Sequence, residues 1–328
     1  MSRPLLARLV GAVVASVAFA SCSAVRSDVS IQSSEALTPA TSPPPSPTTT
    51  AVQADNDECD TRSFRPSEST PEPGEMPAGS YMRDIQDRGK LRVVVDDSTL
   101  FFSSRSGNGD LEGFEVELAR ELARAILGDP AKVELIIGGV GDDKLKPIVN
   151  GEADAVISVV TVTCKRWRQV AFSRPYYETR QGILVASGST VSGLKDLDDA
   201  TVCVTSGSSS EEYVKSQLPD ATVLAVESRP DCLVALQEGR CDAVVLPESI
   251  LAGLHAQDPT ADLKEPVPPP RAQYYGIAVP QGEEGFVRFV NGLLERWQVD
   301  GTLARLQQEQ LSDELRTDPV APEHGYRD

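Results

Sequence analysis

Histidine is almost missing from this chain: His255 and His324 are the only two in 328 residues. They stand far apart, with no Cys or Glu cluster at metal spacing beside them. That argues against a histidine-based zinc site and against a Ser-His-Asp triad, and neither a metal nor a cofactor is expected. Basic residues are also in the minority, 31 Lys and Arg against 49 Asp and Glu, for a formal net charge of −18. A broad basic face for nucleic acid or anionic lipid is therefore not expected. The apolar run near the N-terminus, Leu9 to Ala20, holds only about a dozen residues, too few to span a bilayer but suited to a signal-peptide core. Arg3 and Arg8 supply the positive charge beside it, and Phe19-Ala20-Ser21-Cys22 ends it. Small residues followed at once by Cys resemble a bacterial lipobox. Residues 1–21 are thus expected to be a signal peptide and Cys22 a lipidation site that anchors the chain to the outer face of the membrane.

What is present points to two globular units. The length and the 40% hydrophobic fraction support more than one domain. Residues 22–79 are rich in Pro, Ser and Thr and read as an extended tether. Residues 312–328 read as a polar tail that frays. Between them strands and helices alternate. Leu91–Val95, Lys132–Ile137, Asp154–Val160, Thr201–Thr205, Thr222–Val226 and Asp242–Leu246 read as strands. Phe114, Leu118, Leu122, Ala125 and Ile126 recur at helical spacing before Gly128, and Phe286, Phe289, Val290, Leu293, Leu294 and Trp297 form one apolar stripe. Alternation of this kind implies parallel, doubly wound α/β sheets.

One short repeat stands out. Gly151-Glu152-Ala153-Asp154-Ala155-Val156-Ile157 matches Gly239-Arg240-Cys241-Asp242-Ala243-Val244-Val245. In both, a helix ends at a Gly and an Asp leads an apolar strand. Two similar α/β units would enclose a cleft, with ligands at the carboxyl ends of strands. After the first repeated strand come Thr161, Thr163 and Arg166, two hydroxyls and a guanidinium that can fork onto a carboxylate. After Val202-Cys203-Val204 come Gly207, Ser208, Ser209 and Ser210, whose backbone N–H groups can hold an anion, although Ser209 or Ser210 also reads as a plain helix cap.

Taken in order, these segments resemble the family 3 periplasmic solute-binding proteins, the polar amino-acid receptors of ABC importers, and within them the glutamine/glutamate-binding lipoproteins of actinobacteria. The resemblance runs from about Lys90 to about Gln310. It rests on Lys90-Leu91-Arg92-Val93, Gly113 to Ala119, Thr161-Val162-Thr163 with Arg166, Val170 to Ser173 with Tyr176-Tyr177, Gly207 to Ser210, Tyr275 to Val279, and Val290-Asn291-Gly292 through Asp300-Gly301-Thr302. It implies an α/β, two-lobed periplasmic-binding-protein-like fold of type II, with two hinge strands and a ligand cleft between the lobes. The first lobe would be 80–181 plus 279–311, the second 187–272, and the hinges 180–186 and 273–278. Carried over, Arg166 binds the ligand α-carboxylate, Thr161 adds its hydroxyl and Val159 its carbonyl. Ser208 and Ser209 act from the second lobe, and Asp96 with Phe101 and Phe102 lines the side-chain pocket. Two departures stand out. Pro247 occupies the position where the family has an ammonium-binding Asp, so Glu248 is the candidate replacement. The aromatic wall expected near Gly141 is absent, and Gly138-Gly139-Val140-Gly141 reads as an open, flexible edge.

With Cys22 lipidated, five cysteines remain and one must stay unpaired. The resemblance implies a Cys203–Cys232 bond. Cys59 is then expected to staple the tether to Cys164, with Cys241 free and buried. Cys232 and Cys241 lie about 13 Å apart along one helix, too far to pair. The function implied is capture of glutamine, glutamate, aspartate or asparagine by a monomer that delivers it to an ABC permease. A receptor that signals to a membrane sensor partner would have the same site. An enzyme of cyclohexadienyl dehydratase type on this scaffold would need Glu248 or Asp96 as general acid, and no covalent chemistry is expected.

Overall fold

In a computed structural model, residues 59–264, 271–317 and 325–328 are described. The signal peptide, Cys22 and the tether up to residue 58 lie outside them. Among the described residues no helix is long and apolar enough to cross a membrane.

The first lobe begins with α1 (Tyr81–Arg88), β1 (Leu91–Val95) and a small meander of β2 (Ser98–Thr99), β3 (Ser103–Arg105) and β4 (Leu111–Glu112). It continues with α2 (Phe114–Leu127), β5 (Val133–Ile137), α3 (Lys146–Val149), β6 (Ala155–Val156), α4 (Cys164–Trp167) and β7 (Val170–Thr179). The second lobe holds β8 (Gln181–Val185), β9 (Thr201–Thr205), α5 (Ser209–Gln217), β10 (Thr222–Val226), α6 (Arg229–Gln237), β11 (Ala243–Pro247), α7 (Glu248–Gln257) and β12 (Asp262–Lys264). The chain returns to the first lobe through β13 (Gln273–Pro280), α8 (Glu284–Val299) and α9 (Thr302–Gln310).

The two large sheets share one plan, β5-β1-β6-β13-β7 and β10-β9-β11-β8-β12. They are not wholly parallel as expected. Each contains one reversed strand, β13 in the first and β8 in the second. The reason is topological. Strands of βαβ units point their carboxyl ends at the cleft, so a strand entering a lobe from the cleft must run the other way. β13 and β8 are those entering strands. The expected hinge spans accordingly lie largely inside sheets, since β7 reaches Thr179 and β8 starts at Gln181. The crossing itself narrows to Arg180 on one side.

Alternation along the second sheet divides its core. Ile183, Val185, Val202, Val204, Ala243 and Val245 pack on one face with Val214. Leu184, Cys203, Val244 and Leu246 face the other way and join the core that runs through the first lobe. The apolar stripe of α8 is buried as its spacing predicts, and Gly128 ends α2 in the left-handed conformation at φ 72°.

The sequence repeat has a physical basis. Asp154 Oδ2 accepts the N–H of Arg92, beside β6, while Asp242 Oδ2 accepts the N–H of Thr201, beside β11, at 2.8 and 2.7 Å. Each Asp closes the start of the neighbouring parallel strand. Asp154 does more, since it is fully buried and also takes Arg88, the Arg92 guanidinium and the Tyr81 hydroxyl. Asp154→Ala should therefore lower stability by about 2–3 kcal/mol by orphaning those donors, and Asp242→Ala, at an exposed site, by much less. Urea unfolding of both variants checks this, and equal losses would contradict it.

Both ends of the described chain clasp the first lobe. Residues 59–79 were expected to be tether, yet Ser63 and Met76 are buried and Ser63 Oγ donates to the Phe172 carbonyl at 2.7 Å. Asn291 Nδ2 donates to Ser63 Oγ at 2.7 Å. The expected fraying tail also packs in part: Leu315 is buried, and the Arg327 guanidinium lies 4.2 Å from the ring centres of Phe64 and of Trp167. Composition hid this because a few anchoring side chains suffice to hold a polar strap. The Cys59–Cys164 and Cys203–Cys232 disulfides are present as expected, and Cys241 is unpaired and buried.

Candidate functional site

The lobes touch across the cleft. Thr161 Oγ1, beyond β6, lies 3.1 Å from Ser209 Oγ in the first turn of α5. Lys165 Nζ reaches Glu212 of α5 at 2.7 Å and Asp142 of its own lobe at 2.8 Å. Asp96, at the end of β1, forms a buried ion pair with Arg229, at the start of α6. Backbone meets backbone at Gly141: a β-carbon there would overlap the Gly207 carbonyl group and the Ser206 carbonyl oxygen. Gly141 is thus no open edge. Its missing side chain, at φ 54°, lets the lobes close.

Beside these contacts Arg166 is buried and pre-oriented. Its Nε donates to Asp142 Oδ1 at 2.9 Å and its Nη1 to the Thr161 carbonyl at 2.8 Å. Thr163 caps the short helix α4 that carries it, accepting the Arg166 N–H at 3.3 Å. Burial would raise the Asp142 carboxyl, but the bonds from Lys165 and Arg166 outweigh it and hold the group below its usual range.

Behind the clamp lies a buried charged cluster. Val159 adopts φ 43°, a strained value for a β-branched residue. Its N–H donates to Glu115 Oε1 at 2.6 Å, and the Tyr176 hydroxyl donates to the same oxygen. Lys144 Nζ donates to the neighbouring Ser158 carbonyl at 2.7 Å. Burial, reinforced by Arg229, pushes Lys144 down to about 7. Burial raises Glu115 from 4.5 to about 7, although the bonds from Tyr176 and Val159 oppose it. The Asp96 carboxyl would also be raised by burial, but Arg229 and Lys144 hold it well below the usual range.

Glu115 sets a pH dependence of stability. Unfolded chains release this proton near 4.5 and the folded protein near 7, so between those values the folded state binds more protons. Its contribution to stability therefore falls as pH rises through that window. Glu115→Gln should gain on the wild type from pH 5 to pH 7, by on the order of 1–3 kcal/mol. The Lys144 window, where stability rises with pH, lies above it. Urea unfolding at both pH values tests this; an unchanged gap would show that Glu115 titrates as an ordinary carboxylate.

The sequence-derived residues divide on inspection. Arg166, Thr161, Ser209 and Asp96 lie where the lobes meet, while Val159 belongs to the buried cluster behind them. Ser208 serves as the helix cap, its Oγ accepting the Glu211 N–H at 3.2 Å and its N–H donating to the Thr205 carbonyl at 3.2 Å; the cap was expected at Ser209 or Ser210. Phe102 is fully buried, edge-on to Phe114, Tyr177 and Tyr275. Phe101 is only partly buried, at φ 73°. Glu248 is exposed at the start of α7 with its side chain against Gly182, outside the buried cluster. Sequence reasoning missed Arg229, Lys144, Asp142 and Glu115. Only Glu115 left a signal, a charge on the apolar face of α2 with Leu118, Ala119, Leu122 and Ile126.

Two α/β lobes of equal plan, joined by crossing strands and closed over a polar cleft, define a two-lobed solute-binding protein. The chain belongs to the bacterial extracellular solute-binding proteins, family 3, which it matches over residues 91–312. It is similar to the ABC transporter glutamine-binding protein GlnH of Bacillus subtilis, 30% identical over 219 residues, which are 66% of this chain and 79% of that protein. It is also similar to the glutamate-binding protein GluB of Corynebacterium glutamicum, 27% identical over 261 residues, 77% of this chain and 87% of that one. Among solved structures it resembles the ancestral amino acid-binding protein AncCDT-1, a precursor of cyclohexadienyl dehydratase, at 29% identity and a TM-score of 0.66, covering 71% of this chain and 100% of that one.

Proposed function

We propose that this protein is an extracytoplasmic receptor that closes its lobes around an amino acid of the glutamine/glutamate type and presents it to an ABC importer. The observation that carries this reading is the contact of Thr161 with Ser209 across the cleft, beside the buried, pre-oriented Arg166. Arg166 takes the α-carboxylate, Thr161 and Ser209 close over it, and the closed state is what the importer recognises. Lipidation at Cys22 and the tether that follows hold the receptor at the membrane surface, and the protein acts as a monomer. Its action includes no covalent step. Asp96, one of the two candidate general acids, is kept ionised by Arg229, and Glu248 lies outside the buried cluster. Calorimetry against the twenty amino acids and common dicarboxylates tests the reading. Micromolar or tighter binding of at least one amino acid is expected; binding of none, or turnover of prephenate or arogenate, would sink it.

A further inference from the structure

Five buried side-chain polar atoms in and around the buried charged cluster have no hydrogen-bond partner among the described residues. They are Thr99 Oγ1, Glu115 Oε2 and Ser158 Oγ on the first lobe, and Thr205 Oγ1 and Arg229 Nε on the second. A buried donor or acceptor left unmade is costly, so these atoms point to a polar group that completes them. Arg229 is the most telling of the five. Its side chain is only 4% exposed. It occupies the first turn of α6, the positive end of a helix, where a cation is disfavoured unless an anion faces it. Asp96 supplies an anion to Nη1, but the Nε edge of the fork has no acceptor.

Lys144 and Asp96 stand close to it. Asp96 answers only the Nη1 side of Arg229, so a buried guanidinium still presents an unmatched donor edge. A carboxylate presents two acceptors to such an Arg fork. A side-chain amide presents one acceptor and directs an NH2 donor at the remaining donors.

We propose that Arg229 is a specificity-determining residue: its Nε edge, with Lys144 beside it, takes a second carboxylate of the ligand, so that the preferred solute is an acidic amino acid rather than its amide. This rests on the receptor reading above and narrows its substrate class.

The test is calorimetric titration of the wild type with L-glutamate, L-aspartate, L-glutamine and L-asparagine in turn. At least one acid should bind tenfold or more tightly than its own amide. Arg229→Lys keeps a charge for Asp96 but loses the fork, so it should weaken the acid at least tenfold and the amide less than threefold, with circular dichroism melting to verify the fold. Equal or tighter binding of the amides by the wild type, or equal losses for acid and amide in the variant, would overturn the inference and leave the receptor reading standing. The wild-type ratio decides the matter even where the variant folds poorly. Failure of the wild type to bind any amino acid would remove the receptor reading and this inference with it.

Discussion

Gly141→Ala should yield a folded protein that binds its amino acid at least 100-fold more weakly. The new methyl group meets the Gly207 carbonyl group of the opposite lobe, and that atom belongs to backbone, which cannot swing aside as a long side chain would. Alanine at φ 54° also adds about 1–2 kcal/mol of local strain. Strain alone lowers stability modestly; the overlap acts only on closure. A ligand that binds the closed state is weakened in proportion to the fraction of molecules able to close. X-ray scattering at saturating ligand should then show a larger radius of gyration than the wild type. Gly207→Ala is the control. Its β-carbon would sit 3.5 Å from the Asp142 nitrogen, an ordinary contact, so it carries the backbone strain at φ 63° without the collision. A Gly141→Ala protein that closes and binds normally would mean that the lobes need not approach so closely.

Removing the guanidinium of Arg166 should be as damaging. An Arg–carboxylate fork makes two charge-assisted bonds, each worth about 1.5–3 kcal/mol, so Arg166→Ala should weaken binding by roughly 10²–10⁴-fold. Arg166→Lys restores charge without the planar fork and should recover only part of the loss. The fold should tolerate either change, since Asp142 keeps Lys165 as a partner. Affinity within threefold of the wild type for Arg166→Ala would place the clamp elsewhere.

The fold was legible in the sequence because its signals are local. Strand runs and the Asp154 and Asp242 repeat each record a neighbour in the same sheet, and the α8 stripe records the face the helix buries. Arg166 and Thr161, which we propose as half of a clamp, follow directly after such a strand and were visible for the same reason. Arg229 was not, because its meaning depends on Asp96, 133 residues away on the other lobe. Gly141 misled in a similar way. A run of glycines reads as slack until another backbone is found pressed against it. Glu248, the substitute charge read from its position beside Pro247, stands exposed at the start of α7.

The strap adds a mechanical consequence. If the chain is anchored upstream of Cys59, as proposed above, any pull passes through the Cys59–Cys164 bond into α4, two residues before Arg166, and through Ser63 and Asn291 into α8. Every one of these fastenings lies on the first lobe, so tension is borne without loading the hinge at Arg180. The first lobe is then the fixed jaw and the second the moving one. An anchor fastened to the second lobe would drag on every closure; one fastened at these points would leave that lobe free to swing.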